Sequence, residues 1–388
     1  MRLRLLLLPL IFFSAIWTVS APAQKTPHVR WIVDLKKNFG YESFERIKDV
    51  KKLWKQQQGI TFLTPEEVLV YQVKSGAGSS FSMIAEIFDA RDGHELKHMV
   101  FPTDSETGRI MPTHDGAFLV HSGNKLAVYS AKFEPLASKE LPPAPTASSQ
   151  EWQIEVSPSG TLVVVVHQQA WSGSKQKNGE AESRADVELL DSQTLKTIKS
   201  FSIPQMDQWS AGDDAIITTD PDGDPGNNDF GILDFDGKWR SLHTGEENND
   251  PSCPYHVQPI QHHLIVAHDC DDLGVVTSDG TVRLSERVRS GLFLISIANE
   301  GDYLAGALVQ PSTGRAFVDV YKLGKEDSKE PVFKHPLFAV SLEKNDVYYS
   351  VSSAGTLAVV DGERLKLFEP SAPSDAGGDS PPRKPERL

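Results

Sequence analysis

The sequence predicts an all-β fold, a closed ring of seven four-stranded units, and three observations predict it. A unit with the same order of strands and turns recurs seven times, each copy about 35 to 54 residues long. Helical periodicity is nearly absent after residue 60. Strands such as "TLVVVV" are apolar on both faces, and a ring of units stacked face to face covers both.

The repeated unit is clearest in the middle of the chain. "EWQIEVSPSGTLVVVVHQQ" indicates two strands joined by a tight turn, and after an insert "ADVELLDSQTLKTIKSFSIP" indicates two more. "ADVELLD" alternates polar and apolar residues, which is typical of a strand with one buried face. The units predicted from this copy are 60–101, 109–142, 151–204, 206–243, 256–288, 291–333 and 337–370. A pair of β-sandwiches is the alternative arrangement for these strands.

The chain begins with the pattern of a secretion signal. Arg2 and Arg4 precede an apolar run from Leu5 to Val19, and Ala21-Pro22-Ala23 forms a small-x-small site before Gln24. The run is shorter than the roughly 20 residues needed to cross a bilayer, which favours removal of residues 1–23 over an uncleaved anchor. The sequence therefore predicts an exported protein, periplasmic or extracellular, with no membrane span in the mature chain.

The rest of the chain divides into three parts. Residues 24–59 form an extension with a predicted strand at 29–35, which could pair with the last unit, and a short helix at 44–57. Residues 60–370 form the ring. Residues 371–388 are rich in Pro, Ser and charged residues with little apolar content, so we expect them to be disordered.

Three motifs point to a known family. They are "VSPSGTLVVVV", "SDGTVRL" and "YLAGALV" followed by "VDVYKL". Through them, residues 60 to 370 resemble the seven-bladed β-propellers of the WD40-like and YVTN-like superfamily. The motifs are typical of blades and of no single function. The chain departs from true WD40 repeats, because no unit carries the Gly-His pair or the Trp-Asp ending.

The resemblance implies two distinct faces. In such rings the second-to-third loops and the loops into the next blade share one face, here called the long-loop face. The first-to-second and third-to-fourth turns share the other, here called the turn face. The long predicted connections are all second-to-third loops, at 74–82, 168–185, 220–229 and 309–315. Loops on a rigid scaffold often carry binding residues, so we predict binding at the long-loop face, although insertions can also collect there without function.

Tryptophans in this pattern fall into two groups. Trp171 lies in the 168–185 loop among Ser, Gly, Lys and Gln, with little core to enter, and is the predicted partner contact. Trp152, Trp209 and Trp239 begin or flank strands and are predicted to be packing residues rather than a carbohydrate platform.

The 220–229 loop is a candidate calcium-binding loop. Asp220, Asp222 and Asp224 match positions 1, 3 and 5 of an EF-hand loop, but Pro225 and Gly231 stand where that loop needs Gly and Glu. Other calcium loops lack that glutamate, so calcium could still be held, and the full candidate set is Asp220, Asp222, Asp224, Asn228 and Asp229. The alternative is a solvated turn, since Asp, Asn, Gly and Pro are strong turn formers. Apart from calcium, the sequence predicts no cofactor.

The only two cysteines, Cys253 and Cys270, are predicted to form a disulfide at the long-loop face of the fifth unit. The bridge would close a loop of about 18 residues and contribute on the order of 3 kcal/mol. The alternative is a zinc site that adds His256 and His268, whose spacing matches no known zinc module.

Charge and motifs limit the function classes. The formal net charge is −14, and removal of residues 1–23 makes it 37 − 53 = −16, which disfavours nucleic acid as a partner. The chain contains no G-x-S-x-G, HExxH, P-loop or dinucleotide motif. We therefore predict a monomeric binding module for a protein, peptide or glycan. The alternative is a propeller-type hydrolase or lyase with an acidic, metal-assisted site at the central opening, built from several loops and leaving no linear motif.

Overall fold

The computed structural model describes residues 27–41, 58–75, 81–103, 108–142, 152–168, 184–204, 206, 209–219, 230–242, 256–260, 264–268, 272–277, 282–287, 293–310, 312–322, 336–342 and 347–370. Within these ranges the chain forms 28 strands, numbered β1 to β28 in chain order, and one short α-helix, α1 (Leu35–Phe39). Among these residues, no helix has the length and apolar character needed to cross a bilayer.

The strands form seven four-stranded antiparallel sheets, which confirms the predicted seven-bladed β-propeller and rules out the pair of sandwiches. The first blade contains β2 (Gln58–Thr64), β3 (Glu67–Ser75), β4 (Phe81–Asp89) and β5 (Glu95–Thr103). The second contains β6 (Gly108–Pro112), β7 (Phe118–Ser122), β8 (Lys125–Tyr129) and β9 (Pro135–Glu140). The third contains β10 (Gln153–Val156), β11 (Leu162–Gln168), β12 (Arg184–Asp191) and β13 (Thr197–Pro204).

The remaining blades follow the same order. The fourth contains β14 (Trp209–Ala211), β15 (Ala215–Thr219), β16 (Phe230–Asp234) and β17 (Trp239–Ser241). The fifth contains β18 (His256–Ile260), β19 (Leu264–His268), β20 (Asp272–Thr277) and β21 (Val282–Arg287). The sixth contains β22 (Phe293–Glu300), β23 (Tyr303–Gln310), β24 (Arg315–Lys322) and β25 (Phe338–Ser341). The seventh contains β26 (Val347–Val351), β27 (Leu357–Asp361), β28 (Arg364–Pro370) and β1 (Pro27–Asp34).

The seventh blade joins the two ends of the described chain. β1 lies antiparallel to β28, with Trp31 opposite Leu367 and Asp34 opposite Arg364. Asp34 then caps α1 by accepting a hydrogen bond from the Lys37 backbone N–H, and Gly40 ends the helix in the left-handed conformation. Because β1 supplies the outermost strand of the seventh blade, the carboxyl-terminal segment supplies only the other three strands of that blade.

This arrangement moves one strand from its predicted unit. The pattern assigns "LFAVS" to the start of the seventh unit, but Phe338–Ser341 pairs with β24 and completes the sixth blade. Phe338 is fully buried there, opposite Val320. The assignment of residues 337–341 to the seventh unit was therefore wrong, because the sequence pattern of a strand does not show which sheet it joins.

Each pair of neighbouring blades is joined by its own apolar cluster, seven in all among the described residues. The closing cluster packs Trp31 and Leu367 of the seventh blade against Phe62, Val68 and Phe88 of the first. Strands such as β11 bury both faces because Val164 and Val166 pack toward the fourth blade while Val163 and Val165 pack toward the second. The double-sided apolar pattern in the sequence therefore reflects the stacking of blades.

Basic side chains link the outermost strands of four consecutive blades to the next blade. The four links are Arg30 Nη1 to the Ala90 carbonyl oxygen at 3.3 Å, Lys97 Nζ to the Lys132 carbonyl oxygen at 2.8 Å, Lys139 Nζ to Glu188 Oε1 at 2.6 Å, and Lys199 Nζ to Asp236 Oδ1 at 2.6 Å. Such surface contacts are screened by solvent and contribute little, so the apolar clusters dominate the joining of blades.

A buried carboxyl in the first blade makes stability depend on pH. Glu86 is 3% exposed, and its pKa is raised to about 8, first by burial and then by the charge of Glu95, with Lys74 opposing the shift. The folded protein therefore holds a proton that the unfolded chain releases near pH 4.5, so stability falls as the pH rises from 4.5 to 8. Glu86→Gln is expected to reduce that slope and to raise the unfolding free energy at pH 8 by about 1 kcal/mol.

Denaturant titrations at several pH values check this prediction. The matched control is Glu140→Gln, which removes an exposed carboxylate from β9. An unchanged pH slope in Glu86→Gln would show that Glu86 does not cause it.

Candidate binding site at the mouth of the central channel

The innermost strands of the seven blades surround a central channel, and the channel opens at the turn face into a cavity of about 480 Å³. All seven blades contribute to its wall, from Thr64 in the first through Gln258 in the fifth and Glu300 in the sixth to Ser353 in the seventh. We call this cavity the channel mouth. Its volume lies in the range of small-ligand sites.

Small residues and prolines form the rim of the channel mouth. The prolines are Pro65, Pro112, Pro158 and Pro259, and the hydroxyl side chains are Thr64, Thr113, Ser157, Ser159, Ser210 and Ser353. Proline fixes its own backbone angle, and short turns leave little conformational freedom, so the rim is stiff. A stiff polar rim loses little entropy when a ligand binds.

The turns at the rim are tied together across blades. The His114 backbone N–H donates to the Gly160 carbonyl oxygen at 3.0 Å, which links the second blade to the third. The Ser159 backbone N–H donates to Asp213 Oδ1 at 2.9 Å, which links the third blade to the fourth. Gly160 has a φ of +74°, and a Cβ there would lie 2.6 Å from the His114 backbone nitrogen. Only glycine fits this left-handed position against a neighbouring backbone.

Arg109 lies deeper in the channel mouth. It belongs to β6 and is three residues before the end of that strand at the turn face, roughly 10 Å below the rim. Its side chain is exposed to the cavity, and its guanidinium donates a hydrogen bond to the hydroxyl oxygen of the buried Tyr71. No carboxylate of the described residues lies within ion-pair distance of that guanidinium.

Glu155 lies on the adjacent wall, in β10. Its Oε2 accepts a hydrogen bond of 2.8 Å from the Ala211 backbone N–H of β14, an innermost strand with an unpaired edge. Burial raises the pKa of Glu155, while the Ala211 hydrogen bond and the charge of Arg109 oppose the shift. Glu155 therefore accepts a hydrogen bond from the innermost strand of the fourth blade. Because its pKa is raised, it is also easier to protonate than an exposed glutamate.

Other inner-strand contacts have the same bridging role. The Tyr349 hydroxyl of β26 lies 2.9 Å from Ser296 Oγ of β22, and burial raises the pKa of Tyr349. The Phe62 backbone N–H of β2 donates to Ser350 Oγ at 3.4 Å. These contacts hold neighbouring inner strands together around the channel.

The predicted packing tryptophans are confirmed. Trp152 packs against the cluster between the second and third blades, and Trp209 and Trp239 pack against the cluster between the third and fourth. The other predicted site residues lie outside the described residues. These are Trp171, the calcium set Asp220, Asp222, Asp224, Asn228 and Asp229, and the pair Cys253 and Cys270. Partner contact, calcium and disulfide stay predictions, as do the helix at 44–57 and the tail 371–388.

The described strand ends agree with the predicted placing of these segments. β15 ends at Thr219 and β16 begins at Phe230, so the aspartate segment joins a second strand to a third. In the fifth blade, His256 is paired with His268 across β18 and β19. Cys253 comes three residues before His256 in the chain, and Cys270 comes two residues after His268.

One acidic group lies away from the channel, in the third-to-fourth turn of the first blade. Single side-chain ligand atoms of Asp89, Asp92 and His94 lie within 4.8 Å of one another. Both oxygens of Asp89 contact the Arg91 guanidinium, which lowers the pKa of Asp89 to about 2. The Asp89 carboxylate is thus neutralised by a cation of the protein itself.

The alternative prediction from the sequence placed a site at the central opening, but it named none of the residues that line the channel mouth. Arg109 and Glu155 are single charged residues in short strands, at the start of "RIMP" and inside "QIEV". A charged residue on an innermost strand is the available signal. It becomes informative only when the strand is known to line the channel.

Comparisons with known proteins agree on the fold. No protein-family model matches the chain, and no curated protein matches it in sequence. Among solved structures, acylaminoacyl peptidase from Pyrococcus horikoshii is similar over 81% of this chain and 51% of its own, with 11% identity and a TM-score of 0.52. This chain thus spans about half the length of that peptidase.

Two separate propeller structures are also similar. The β-propeller domain of the trilobed protease from Pyrococcus furiosus is 12% identical, with a TM-score of 0.47 over 82% of this chain and 99% of its own. Hsv2 from Kluyveromyces lactis is 13% identical, with a TM-score of 0.46 over 78% and 90%. Fold and channel define the class: a seven-bladed β-propeller. Identities this low show the fold alone.

Proposed function

We propose that the protein is an exported binding module that holds a peptide segment or a glycan in the channel mouth. The observation that supports this proposal is the stiff polar cavity of about 480 Å³ to which all seven blades contribute. A rigid concave site with a few converging polar groups is the usual form of a ligand site. Export is supported by Arg2, Arg4 and the apolar run before Ala23, and amino-terminal sequencing of the secreted chain should begin at Gln24.

A matched pair of serine substitutions tests the site. Ser353→Trp places a large side chain at the channel mouth, and Ser312→Trp places the same side chain on the long-loop face, in the β23–β24 turn. Both serines are exposed, so both variants should fold. Binding of a mixed peptide pool and of a glycan array is measured for each. We expect Ser353→Trp to lose at least about 90% of the retained ligand and Ser312→Trp to match the wild type, since only the former fills the cavity.

The reverse result would move the site to the long-loop face, where the sequence predicts Trp171 as a contact. Equal retention by all three proteins would contradict binding at either position. Circular dichroism of each variant should show an unchanged β spectrum.

A second candidate function, an enzyme, is favoured by one observation. Arg109, Glu155 and Glu300, from three different blades, all line the channel mouth. Burial raises the pKa of Glu155, and a carboxyl of this kind can act as a general acid. Mass spectra of the recovered ligand separate the two functions, because a binding module returns its ligand unchanged and an enzyme does not.

A further inference from the structure

The channel mouth contains an arginine, Arg109, although the protein as a whole is acidic. The chain as a whole has a formal net charge of −14. Arg109 is the one lysine or arginine among the described residues that line the cavity. It lies roughly 10 Å below the rim, so a ligand that enters end-on can reach it with its leading group.

The guanidinium of Arg109 is held but not neutralised. Tyr71 accepts one of its hydrogen bonds, and Tyr71 is itself buried between the first and second blades. A guanidinium has five N–H donors in a planar fork, so this contact leaves donors for a ligand. Glu155, whose charge interacts with that of Arg109, already accepts a hydrogen bond from the Ala211 backbone N–H.

The charges around Arg109 favour one class of anion over another. A carboxylate matches the planar fork of a guanidinium and adds one negative charge. A phosphate matches the fork too, but its higher charge is opposed by Asp115, Glu155 and Glu300, which line the same cavity. A carboxylate is therefore the favoured partner of Arg109.

The wall favours a peptide as the bearer of that carboxylate. Among the described lining residues there is no tryptophan or tyrosine ring, and the lining ring of Phe62 is only 5% exposed, so a sugar ring finds little aromatic surface for stacking. The wall offers serine and threonine hydroxyls and the edges of innermost strands, which suit the amide groups of an extended peptide. An end-on approach places the terminal carboxylate deepest.

We infer that the channel mouth takes the carboxyl-terminal end of a peptide, with the terminal carboxylate on Arg109. This inference rests on the proposed function and adds the chemistry of the ligand. In this arrangement Arg109 contacts the terminal carboxylate of the peptide. The hydroxyls of the rim lie along the peptide residues that precede that carboxylate.

Two peptide pools test the inference. Both contain the same random hexapeptides with acetylated amino termini, one with a free terminal carboxylate and the other with a terminal amide. Retention on the immobilised full chain is measured by mass spectrometry. We expect the wild type to retain the free-acid pool at least about tenfold better than the amide pool, and Arg109→Gln to lose that preference.

The control is Arg315→Gln, which removes an exposed arginine at the start of β24, on the long-loop face, and should keep the preference. Arg109→Lys keeps the charge but not the planar fork of donors, so its preference for the free-acid pool should lie between those of wild type and Arg109→Gln.

Equal retention of both pools by wild type and Arg109→Gln would overturn the carboxylate inference and leave the proposed binding function intact. Retention of neither pool, with a positive glycan array, would overturn the peptide assignment alone. Failure of both probes would reject the proposed function itself.

Discussion

Replacing Trp31 with alanine is expected to lower the free energy of unfolding by about 3 to 5 kcal/mol, the usual cost of deleting a buried aromatic side chain. Trp31 is 9% exposed, packs in the cluster that closes the ring, and donates from Nε1 to the Ala90 carbonyl oxygen at 2.9 Å. It is thus a contact of β1 with the first blade as well as with the seventh. Its loss should loosen the point where the two ends of the ring meet.

The neighbouring residue gives the control for this prediction. Ile32 lies on the same strand but is 54% exposed, so Ile32→Ala should cost well under 1 kcal/mol. Urea titrations followed by tryptophan fluorescence and circular dichroism would measure both variants. Similar losses for the two variants would mean that β1 does not close the ring through Trp31.

Gly160→Ala is expected to lower the unfolding free energy by about 3 kcal/mol, because two costs add. The left-handed φ of +74° is unfavourable for alanine, and the new Cβ would lie 2.6 Å from the His114 nitrogen and 2.7 Å from the Thr113 carbonyl carbon. Both neighbours are backbone atoms, which cannot move aside as a flexible side chain can. The substitution should also disturb the channel mouth, since Gly160 lines it.

Gly237 separates the two costs. Its φ is +82°, and a Cβ there would meet no atom within 4 Å, so Gly237→Ala should show the backbone cost alone, about 1 kcal/mol. Thermal unfolding of the two variants gives the difference. If Gly160→Ala were no more costly than Gly237→Ala, the tie between the turns of the second and third blades would be much looser than the structure shows.

Local patterns in the sequence predicted the blades well. Residues 153–204 show why: β10 to β13 follow the alternation and the turn residues of "EWQIEVSPSG" and "ADVELLDSQTLK". Hydrophobic alternation and turn chemistry act over a few residues, so they can be read from the chain directly. The same local signals identified Trp152, Trp209 and Trp239 as packing residues.

The sheet that residues 337–341 join was beyond those local signals. "LFAVS" has a strand pattern, but its sheet depended on β1, about 300 residues earlier, occupying the outer place in the seventh blade. A strand can add to any compatible free edge, and topology alone decides which edge is free.

The sequence by itself determined the number of blades, their strands and their tight turns, because these depend on neighbouring residues. The resemblance to propellers offered a pairing of residues 29–35 with the last unit, and β1 lies there beside β28. Only the tertiary structure decided that β25 completes the sixth blade and where the described cavity lies. Arg109, Glu155 and Ser353 are far apart in the chain and meet because seven blades turn their innermost strands toward one channel. No spacing in the sequence encodes that meeting, since it arises from the closure of the whole ring.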